Sequence, residues 1–239
     1  MIYGLIGERL GHSFSAEIHA RLGKEPYELK ELPPDAVEAF LREGDFRGIN
    51  VTIPYKEKVI SYLDHVSPEA RAIGAVNVVS VIHKNKGYYL KGYNSDVIGF
   101  TKSIEPMLEP FHKKALILGT GGASKAIYYG LKSLGLECVF VSRYERPGTV
   151  QYDKITGDDV REYNVIVNCT PCGMFPHTNE CPNLPYEAMD SHNLLYDLIY
   201  NPDETMFMHK GAKQGATVVN GLEMLLLQAF ASWEFWHER

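Results

Sequence analysis

Short apolar runs alternate with amphipathic stretches along the first part of the chain. Apolar runs bounded by turn residues predict buried strands, and apolar positions three and four residues apart predict helices. The predicted elements, in chain order, are a strand at 2–6, a helix at 15–22 with Ser15 as its N-cap, a strand at 27–32, a helix from 34, a strand at 48–54, helices around 56–63 and at 68–73, and a hairpin with arms at 76–82 and 88–91. Strands that alternate with helices are typical of parallel sheets with crossover connections.

A second unit with the same alternation follows an amphipathic stretch at 97–108. Its predicted elements are strands at 114–119, 138–142, 165–168, 194–199 and 217–220, helices at 123–134 and 204–214, and a strongly apolar final helix at 222–236. Because no repeat or low-complexity linker separates the two units, we place the domain boundary inside the connecting helix near residue 98. The fold class predicted is α/β, with two domains.

Composition and charge restrict the classes of partner. The 239 residues carry 24 basic and 30 acidic side chains, a net charge of -6. Since no run of lysine and arginine is present to contact a phosphate backbone, nucleic acid is not expected as a main partner. No apolar stretch reaches the roughly 18 residues of a membrane span, and the first residues lack the basic flank and length of a signal peptide. We expect a cytoplasmic protein without a membrane partner, either a monomer or a homodimer.

Three cysteines and a histidine lie close together in the sequence. Cys169, Cys172, His177 and Cys181 have the spacing C-x2-C-x4-H-x3-C, one residue short of a zinc knuckle, so a structural zinc is one interpretation. The segment follows an apolar run and contains two prolines, which is typical of a strand that leads into a loop, and a knuckle's aromatic and basic residues are missing. We favour reduced thiols and predict no metal.

A glycine-rich turn follows the predicted strand at 114–119 and precedes a helix. Its sequence is Gly119-Thr-Gly121-Gly122-Ala123. Such a turn lets the backbone approach a pyrophosphate, to which the helix N-terminus presents free N–H groups. The next strand ends in Ser142-Arg143 and is followed by Arg146, without the carboxylate that NAD sites place there. Guanidinium groups suit the 2′-phosphate of NADP, although solvated loop arginines remain an alternative.

Two titratable residues are candidates for proton transfer. Lys56 lies just past the predicted strand at 48–54, and Asp96 lies at the domain boundary between two glycines. A lysine beside an aspartate can exchange a proton with a substrate hydroxyl and stabilise an oxyanion. Taken alone, each residue is more often a surface charge. His12 and His19 are interpreted as packing near a helix start rather than as catalytic groups.

Eight motifs in order along the chain resemble one family, the shikimate dehydrogenases. They are Gly11-His-Ser-Phe-Ser15, Asn50-Val-Thr-Ile-Pro-Tyr-Lys56, Ile73-Gly-Ala-Val-Asn77, Gly92-Tyr-Asn-Ser-Asp96, Gly119-Thr-Gly-Gly-Ala123, Asn168-Cys-Thr-Pro-Cys-Gly-Met174, Tyr196-Asp-Leu-Ile-Tyr-Asn-Pro202 and Asn220-Gly-Leu-Glu-Met-Leu-Leu-Leu-Gln228. The resemblance implies a substrate-binding and catalytic domain at 1–98, a Rossmann-like NADP domain at 99–219 and a C-terminal helical segment at 220–239 that returns to the first domain. It also implies the reversible NADPH-dependent reduction of 3-dehydroshikimate to shikimate.

The resemblance further implies roles for individual residues. Lys56 matches the acid/base lysine and Asp96 its carboxylate partner. Residues that match substrate-binding positions are Ser13, Ser15, Thr52, Asn77, Asn94, Tyr200 and Gln228. Residues that match cofactor-binding positions are Gly119, Gly121, Gly122, Ala123, Ser142, Arg143, Arg146, Thr170, Met174 and Gly221.

Several positions depart from the family's pattern. Val78 and Ser95 each stand where a threonine is usual, and Ser142 stands where an asparagine is expected. A quinate or aminoshikimate dehydrogenase, including one that uses NAD, is therefore an alternative. A non-catalytic sensor that binds the same metabolite is a second alternative, although it has no need of a proton-transfer pair.

Overall fold

The computed structural model describes residues 2–11, 13–84 and 87–238. These residues fold as an α/β protein, as the sequence predicts, and divide into two compact units. The first unit runs to Gly99 and includes the end of the chain from Leu226, whereas the second comprises Phe100–Leu225. The sequence analysis placed the corresponding boundaries after residues 98 and 219.

A mixed six-stranded sheet forms the centre of the first unit. Its elements are β1 (Tyr3–Gly7), α1 (Ser15–Leu22), β2 (Tyr27–Glu31), α2 (Val37–Glu43), β3 (Gly48–Val51), a 3-10 helix (Lys58–Tyr62), β4 (His65–Val66), α3 (Pro68–Ile73), β5 (Val78–Lys84), β6 (Gly87–Tyr93) and the start of α4 (Asp96–Ile104). The strand order is β2-β1-β3-β5-β6-β4. The first three strands are parallel, and the β5–β6 hairpin pairs antiparallel with β3. Every residue of β1 and β3 is buried, because both strands lie inside the sheet.

The C-terminal helix packs against the sheet of the first unit. Tyr3 of β1 stacks on Trp236, with ring centroids 4.9 Å apart. A side chain at Gly48 of β3 is excluded because a Cβ there would lie 2.2 Å from the Trp236 ring. Trp236 is therefore a core residue of the first unit.

A parallel six-stranded sheet forms the centre of the second unit. Its elements are β7 (Lys114–Leu118), α5 (Gly122–Ser133), β8 (Glu137–Ser142), β9 (Thr149–Gln151), α6 (Gly157–Glu162), β10 (Val165–Asn168), β11 (Leu194–Asp197), α7 (Met206–Ala212), β12 (Thr217–Val219) and α8 (Leu222–His237), the last of which continues into the first unit. The strand order is β12-β11-β10-β7-β8-β9. Successive strands are added on one side of β7 as far as β9, and β10 to β12 are then added on its other side, so the strand order reverses between β7 and β10. In open parallel sheets, ligands bind outside the carboxyl ends of the strands at such a reversal.

Two local predictions were wrong. Ser15 is not the N-cap of α1, because Phe14 already has helical backbone angles and takes that position. The Phe14 carbonyl accepts the first helical hydrogen bond, from Ile18 N at 3.0 Å. The helix expected around 56–63 is a shorter 3-10 helix. The turn of the predicted hairpin, Asn85 and Lys86, lies outside the described residues, as does His12.

Among the residues that the structure describes, no helix has both the length and the apolar character that a bilayer span requires.

Candidate active site and dinucleotide site

A lysine and an aspartate form a partly buried pair in the first unit. Lys56 lies shortly after β3, and Asp96 is the first residue of α4. Lys56 Nζ is 2.6 Å from Asp96 Oδ2, and the two side chains are 13% and 10% exposed. A hydrogen bond between charged groups is stronger than one between neutral groups, and shielding from water strengthens it further. The contact that the sequence analysis expected is present.

Hydrogen bonds hold the backbone that carries Lys56. The Lys56 carbonyl accepts from Val76 N at 2.7 Å, and Tyr55 N donates to the Thr52 carbonyl at 2.9 Å. Tyr55 is buried, and its hydroxyl donates to the Leu32 carbonyl at 2.5 Å. The lysine side chain therefore extends from a segment that is fixed on both sides.

Asn77 fixes the orientation of the Asp96 carboxylate. Asn77 Nδ2 donates to Asp96 Oδ1 at 2.8 Å and to Ser95 Oγ at 3.0 Å, while its Oδ1 accepts from Ser95 N at 2.7 Å. Because the amide oxygen faces a backbone donor and the amide nitrogen faces two acceptors, the side chain has one satisfactory orientation. Asp96 Oδ1 is thus held by a neutral donor, and Oδ2 faces Lys56.

A chain of buried polar side chains continues from Ser95. Its hydroxyl lies 3.0 Å from Ser232 Oγ and 3.3 Å from Gln228 Oε1. Ser232 Oγ accepts from Asn50 Nδ2 at 2.8 Å, and Asn50 Oδ1 accepts from the Tyr27 hydroxyl at 2.8 Å. These bonds connect β2, β3, α8 and the start of α4, so they tie the C-terminal helix to the site of the carboxylate.

The remaining substrate-binding candidates of the first unit are placed at the ends of its elements. Ser13 and Ser15 lie at the start of α1, and Ser13 Oγ accepts from Ser15 N at 3.3 Å. Burial raises the pKa of the Tyr27 phenol, and the neighbouring Ser15 side chain opposes this rise. Thr52 directly follows β3, and its side chain is half-buried.

The glycine turn of the second unit has the geometry that a dinucleotide requires. Gly119 has a φ of 102°, which disfavours residues with a side chain, and a Cβ there would lie 3.0 Å from Thr170 Cγ2. Gly121 is the N-cap of α5, and a Cβ at this position would meet no atom within 4 Å. Ser124 closes the first helical turn by donating to the Gly121 carbonyl at 2.7 Å. The open space beside Gly121 and the helix N-terminus fit a pyrophosphate.

Two exposed arginines follow β8, near the glycine turn. Arg146 Nη1 donates to Thr120 Oγ1 at 3.3 Å, which places this guanidinium beside the turn. The Arg143 guanidinium lies 5.8 Å from the centre of the Tyr144 ring. Ser142 is buried, and its hydroxyl accepts from Tyr144 N at 3.2 Å. The residues at this strand end suit an anionic group.

Loops after β10 and β11 carry the other cofactor candidates. Thr170 Oγ1 donates to Asn168 Oδ1 at 2.7 Å, and Met174 is 47% exposed. Gly221 is required by packing, because a Cβ there would lie 2.2 Å from the Leu198 carbonyl oxygen. Tyr200 is half-buried, and burial raises the pKa of its phenol. These residues lie beyond the carboxyl ends of the central strands.

Known proteins similar to this chain share nearly all of its length. The family model for the shikimate dehydrogenase substrate binding domain matches residues 5–79. A shikimate dehydrogenase (NADP(+)) of Carboxydothermus hydrogenoformans is 38% identical, over 98% of this chain and 90% of that protein. The chain belongs to the shikimate dehydrogenase family.

Solved structures of family members have the same fold. Shikimate 5-dehydrogenase of Thermus thermophilus, crystallised with NADP(H) and shikimate, has a TM-score of 0.86 and 32% identity, covering 99% of this chain and 94% of that one. The Listeria monocytogenes enzyme, crystallised with shikimate and NAD, has a TM-score of 0.82 and 25% identity, covering 100% and 92%. The resemblance to the shikimate dehydrogenase family and the predicted fold are therefore confirmed.

Asn94, a substrate-binding candidate from the family pattern, is bound to the backbone in this structure. Asn94 Nδ2 donates to the Ala75 carbonyl at 2.9 Å, and Oδ1 accepts from Val97 N at 3.2 Å. Since Val97 is the second residue of α4, the Asn94 side chain stabilises the helix start at Asp96. Its visible function is to position the carboxylate.

The four cysteines are free thiols. Burial raises the pKa of Cys169 well above its usual range and also raises that of Cys172. Within residues 2–11, 13–84 and 87–238, no group of three or more His, Cys, Asp or Glu side chains is arranged to hold a metal ion.

Sequence reasoning missed several polar residues of the site. Asn50, Ser232 and Tyr27 contribute to the buried chain, and none was a candidate. Asn50 opens the motif that contains Lys56, and Ser232 lies four residues after Gln228, one helical turn away on the same face. These spacings were the available signals.

Proposed function

We propose that this protein is a shikimate dehydrogenase, which catalyses the reversible NADPH-dependent reduction of 3-dehydroshikimate to shikimate. The observation that supports the proposal most strongly is the short contact between Lys56 Nζ and Asp96 Oδ2, with Asn77 behind the carboxylate. A protein that only binds a metabolite needs no such pair. The named activity of full-length relatives is consistent with this chemistry.

The proton is supplied by Lys56. In the reducing direction, the ammonium donates a proton to the ketone oxygen as that oxygen gains negative charge. Asp96 holds the ammonium in place, Asn77 donates to the Asp96 carboxylate, and Asn94 accepts from Val97 N in the helix start that carries Asp96. We therefore propose that Asn77 and Asn94 position the catalytic pair in addition to the substrate contacts that the family pattern implies for them.

Hydroxyl and amide groups of the first unit bind the substrate. Ser13 and Ser15 donate to the substrate carboxylate from the start of α1, where the helix dipole also favours an anion. Thr52 and Gln228 hydrogen-bond the ring hydroxyls, and Tyr200, a residue of the second unit, matches a position that the family places near the substrate. A substrate that lacks a matching hydroxyl leaves such a group unpaired, which penalises it.

NADP binds at the glycine turn of the second unit, and its reduced nicotinamide supplies the hydride. Gly119, Gly121, Gly122 and Ala123 form the pyrophosphate site, while Thr170, Met174 and Gly221 line the nicotinamide. Ser142, Arg143 and Arg146 surround the 2′-phosphate of the adenosine, which requires cations.

The test is a spectrophotometric assay of NADPH formation from shikimate. Purified protein is supplied with shikimate or quinate and with NADP or NAD, in all four combinations. The proposal predicts the highest kcat/KM for shikimate with NADP. Binding of both ligands without turnover would instead identify a metabolite sensor, and a preference for NAD would contradict the role of the arginines.

We further propose a cytoplasmic location, which the four free thiols favour because reducing compartments preserve them. The protein is either a monomer or a homodimer, and light scattering of the purified chain distinguishes the two.

A further inference from the structure

A second buried carboxylate lies in the second unit and has no part in the proton transfer. Asp197 is the last residue of β11, its exposed fraction is 0%, and it pairs in the sheet with Asn168, the last residue of β10. Among the described residues, no lysine, arginine or histidine forms an ion pair with it. Placing a charge in the interior without a counter-charge is costly, so its presence calls for an explanation.

Three neutral donors satisfy the carboxylate, and each belongs to a different segment. Asp197 Oδ1 accepts from Asn168 Nδ2 at 3.0 Å and from Ile199 N at 3.0 Å. Oδ2 accepts from Thr205 Oγ1 at 2.7 Å, and this hydroxyl also caps α7. Burial raises the pKa of Asp197 to about 6, and the three donors oppose this effect.

The hydrogen bonds pass from Asp197 to the loop after β10. Asn168 Nδ2 also contacts the Cys172 carbonyl at 3.4 Å, while its Oδ1 accepts from Thr170 N at 3.1 Å and Thr170 Oγ1 at 2.7 Å. Cys172 N in turn donates to Thr170 Oγ1 at 3.2 Å. The carboxylate thereby selects the orientation of the Asn168 amide, and the amide sets the course of the loop.

That loop lies against the glycine turn at the reversal of strand order. The Thr170 methyl group approaches the position of a Gly119 Cβ to 3.0 Å. On the other side, the Ile199 carbonyl accepts from Gly221 N at 3.0 Å. Asp197 thus contacts, through one intermediate residue each, the segments that contain Thr170 and Gly221.

We infer that Asp197 is a positioning residue for the dinucleotide: through Asn168 and Ile199 it holds the two loops that line the nicotinamide. The inference rests on the proposed function, because it assumes that NADP binds beside the glycine turn. It requires no contact between Asp197 and any ligand.

The test measures the Kd of NADPH by fluorescence titration, together with KM for NADP and for shikimate, in five variants. Asp197→Ala and Asn168→Ala each break the connection to Thr170, so each is expected to raise the Kd of NADPH about tenfold through misplacement of the loop. KM for shikimate is expected to stay within about twofold, the usual scatter for unconnected sites. Asp197→Asn keeps an acceptor oxygen for Asn168 and Ile199 and should retain most of the affinity.

The matched control is Tyr196→Phe, on the neighbouring position of the same strand. It removes a buried hydrogen bond of 2.7 Å to Ser103 that leads to neither loop. This variant is expected to lower the melting temperature while leaving the Kd of NADPH unchanged. The Asp197→Ala/Asn168→Ala double variant should bind NADPH about as well as the weaker of the two single variants, because both interrupt one path.

The inference is overturned if Asp197→Ala and Asn168→Ala bind NADPH like the wild type, if they raise both KM values equally, or if Tyr196→Phe weakens NADPH binding as much. Should Asp197→Ala not fold, Asn168→Ala decides by the same criteria, and Asp197→Asn remains the variant expected to retain most of the affinity. A wild-type protein that does not oxidise shikimate would refute the proposed function instead. The NADPH titration does not depend on turnover, so the two failures are distinguishable.

Discussion

The two units each contain a buried carboxylate, and the two carboxylates differ in what faces them. Asp96 is met by the Lys56 ammonium at 2.6 Å and by one neutral amide. Among the residues that the structure describes, those that meet Asp197 are neutral donors, namely an amide, a backbone N–H and a hydroxyl. Both are at least nine-tenths buried.

This difference separates proton transfer from positioning. The ammonium beside Asp96 carries a proton that it can give to a substrate, so the first unit is equipped for acid/base chemistry. The donors around Asp197 hold their protons at neutral pH, but they belong to three segments whose relative positions they fix. In this protein, the carboxylate whose partner can exchange a proton is the one that we assign to the reaction.

The largest expected effect follows from removal of the Lys56 ammonium, because this removes the difference between the two carboxylates. Lys56→Ala leaves Asp96 with neutral donors alone, like Asp197, and deletes the proton donor. We expect kcat to fall by about 10²–10⁴-fold, the range for loss of a general acid, with a much smaller change in KM for shikimate. Steady-state kinetics at saturating NADP measure both constants. Near-full turnover would remove Lys56 from the mechanism.

Interrupting the polar chain behind Asp96 should have the next largest effect. Ser232→Ala leaves Asn50 Nδ2 and Ser95 Oγ each without one buried partner. We expect the free energy of unfolding to fall by about 1–3 kcal/mol, the cost of an unsatisfied buried group, and kcat to fall less than in Lys56→Ala. Urea denaturation and the shikimate assay test this. Ser61→Ala, which removes an exposed hydroxyl of the same unit, is the control.

The next prediction concerns the preference of the second unit for NADP over NAD. Arg143→Ala removes a cation expected at the 2′-phosphate, so KM for NADP should rise about tenfold, as for loss of one charge-assisted hydrogen bond. KM for NAD should hardly change, since NAD lacks that phosphate. An equal rise for both cofactors would assign Arg143 to the adenine or to the fold instead.

The last prediction concerns the pH dependence of unfolding, where the expected effect per pH unit is the smallest. It tests a third buried titratable group, His19. Burial lowers the pKa of His19 to about 4, and within the described part of the chain neither ring nitrogen has a hydrogen-bond partner. Between pH 6.5 and 4 the unfolded chain binds a proton that folded His19 does not, so this residue lowers stability as the pH falls, by at most about 1.4 kcal/mol per pH unit.

Asp197 acts in the opposite direction over much of this window. Its pKa is raised to about 6, so the folded state binds a proton between pH 6 and 3.8 that the unfolded state does not, and stability rises as the pH falls.

His19→Phe removes the contribution of the histidine and keeps that of Asp197. This variant should therefore gain stability relative to the wild type as the pH is lowered from 6.5 to 4. Equal pH dependence of denaturation in the two proteins would contradict the burial of a neutral histidine.

The strands and longer helices were predictable because their apolar residues follow a clear pattern. All residues of β3 and β10 are buried, and both strands are predominantly apolar in sequence, with one asparagine each. By contrast, β9 has only half-buried residues, and α6 buries Val160 alone, so neither shows an apolar face. The capping box of Thr156 and Asp159 was the one local signal for α6.

The candidate site was predictable where one motif contains the reacting group. Lys56 and Asp96 stand in recognisable motifs, and only their contact required the fold. Asn50 and Ser232 are 182 residues apart in sequence, and Asp197 meets Asn168 across 29 residues. Such bonds depend on strand order and on the return of α8 to the first unit, which no local pattern contains.

The account is tested most directly by measuring, in Asp96→Asn and Asp197→Ala side by side, the Kd of NADPH and then the rate of a single turnover with 3-dehydroshikimate at saturating NADPH. We predict that Asp96→Asn binds NADPH like the wild type and turns over much more slowly, whereas Asp197→Ala binds NADPH more weakly. The account is contradicted if Asp96→Asn turns over at the wild-type rate, or if the two variants lose NADPH affinity to the same extent.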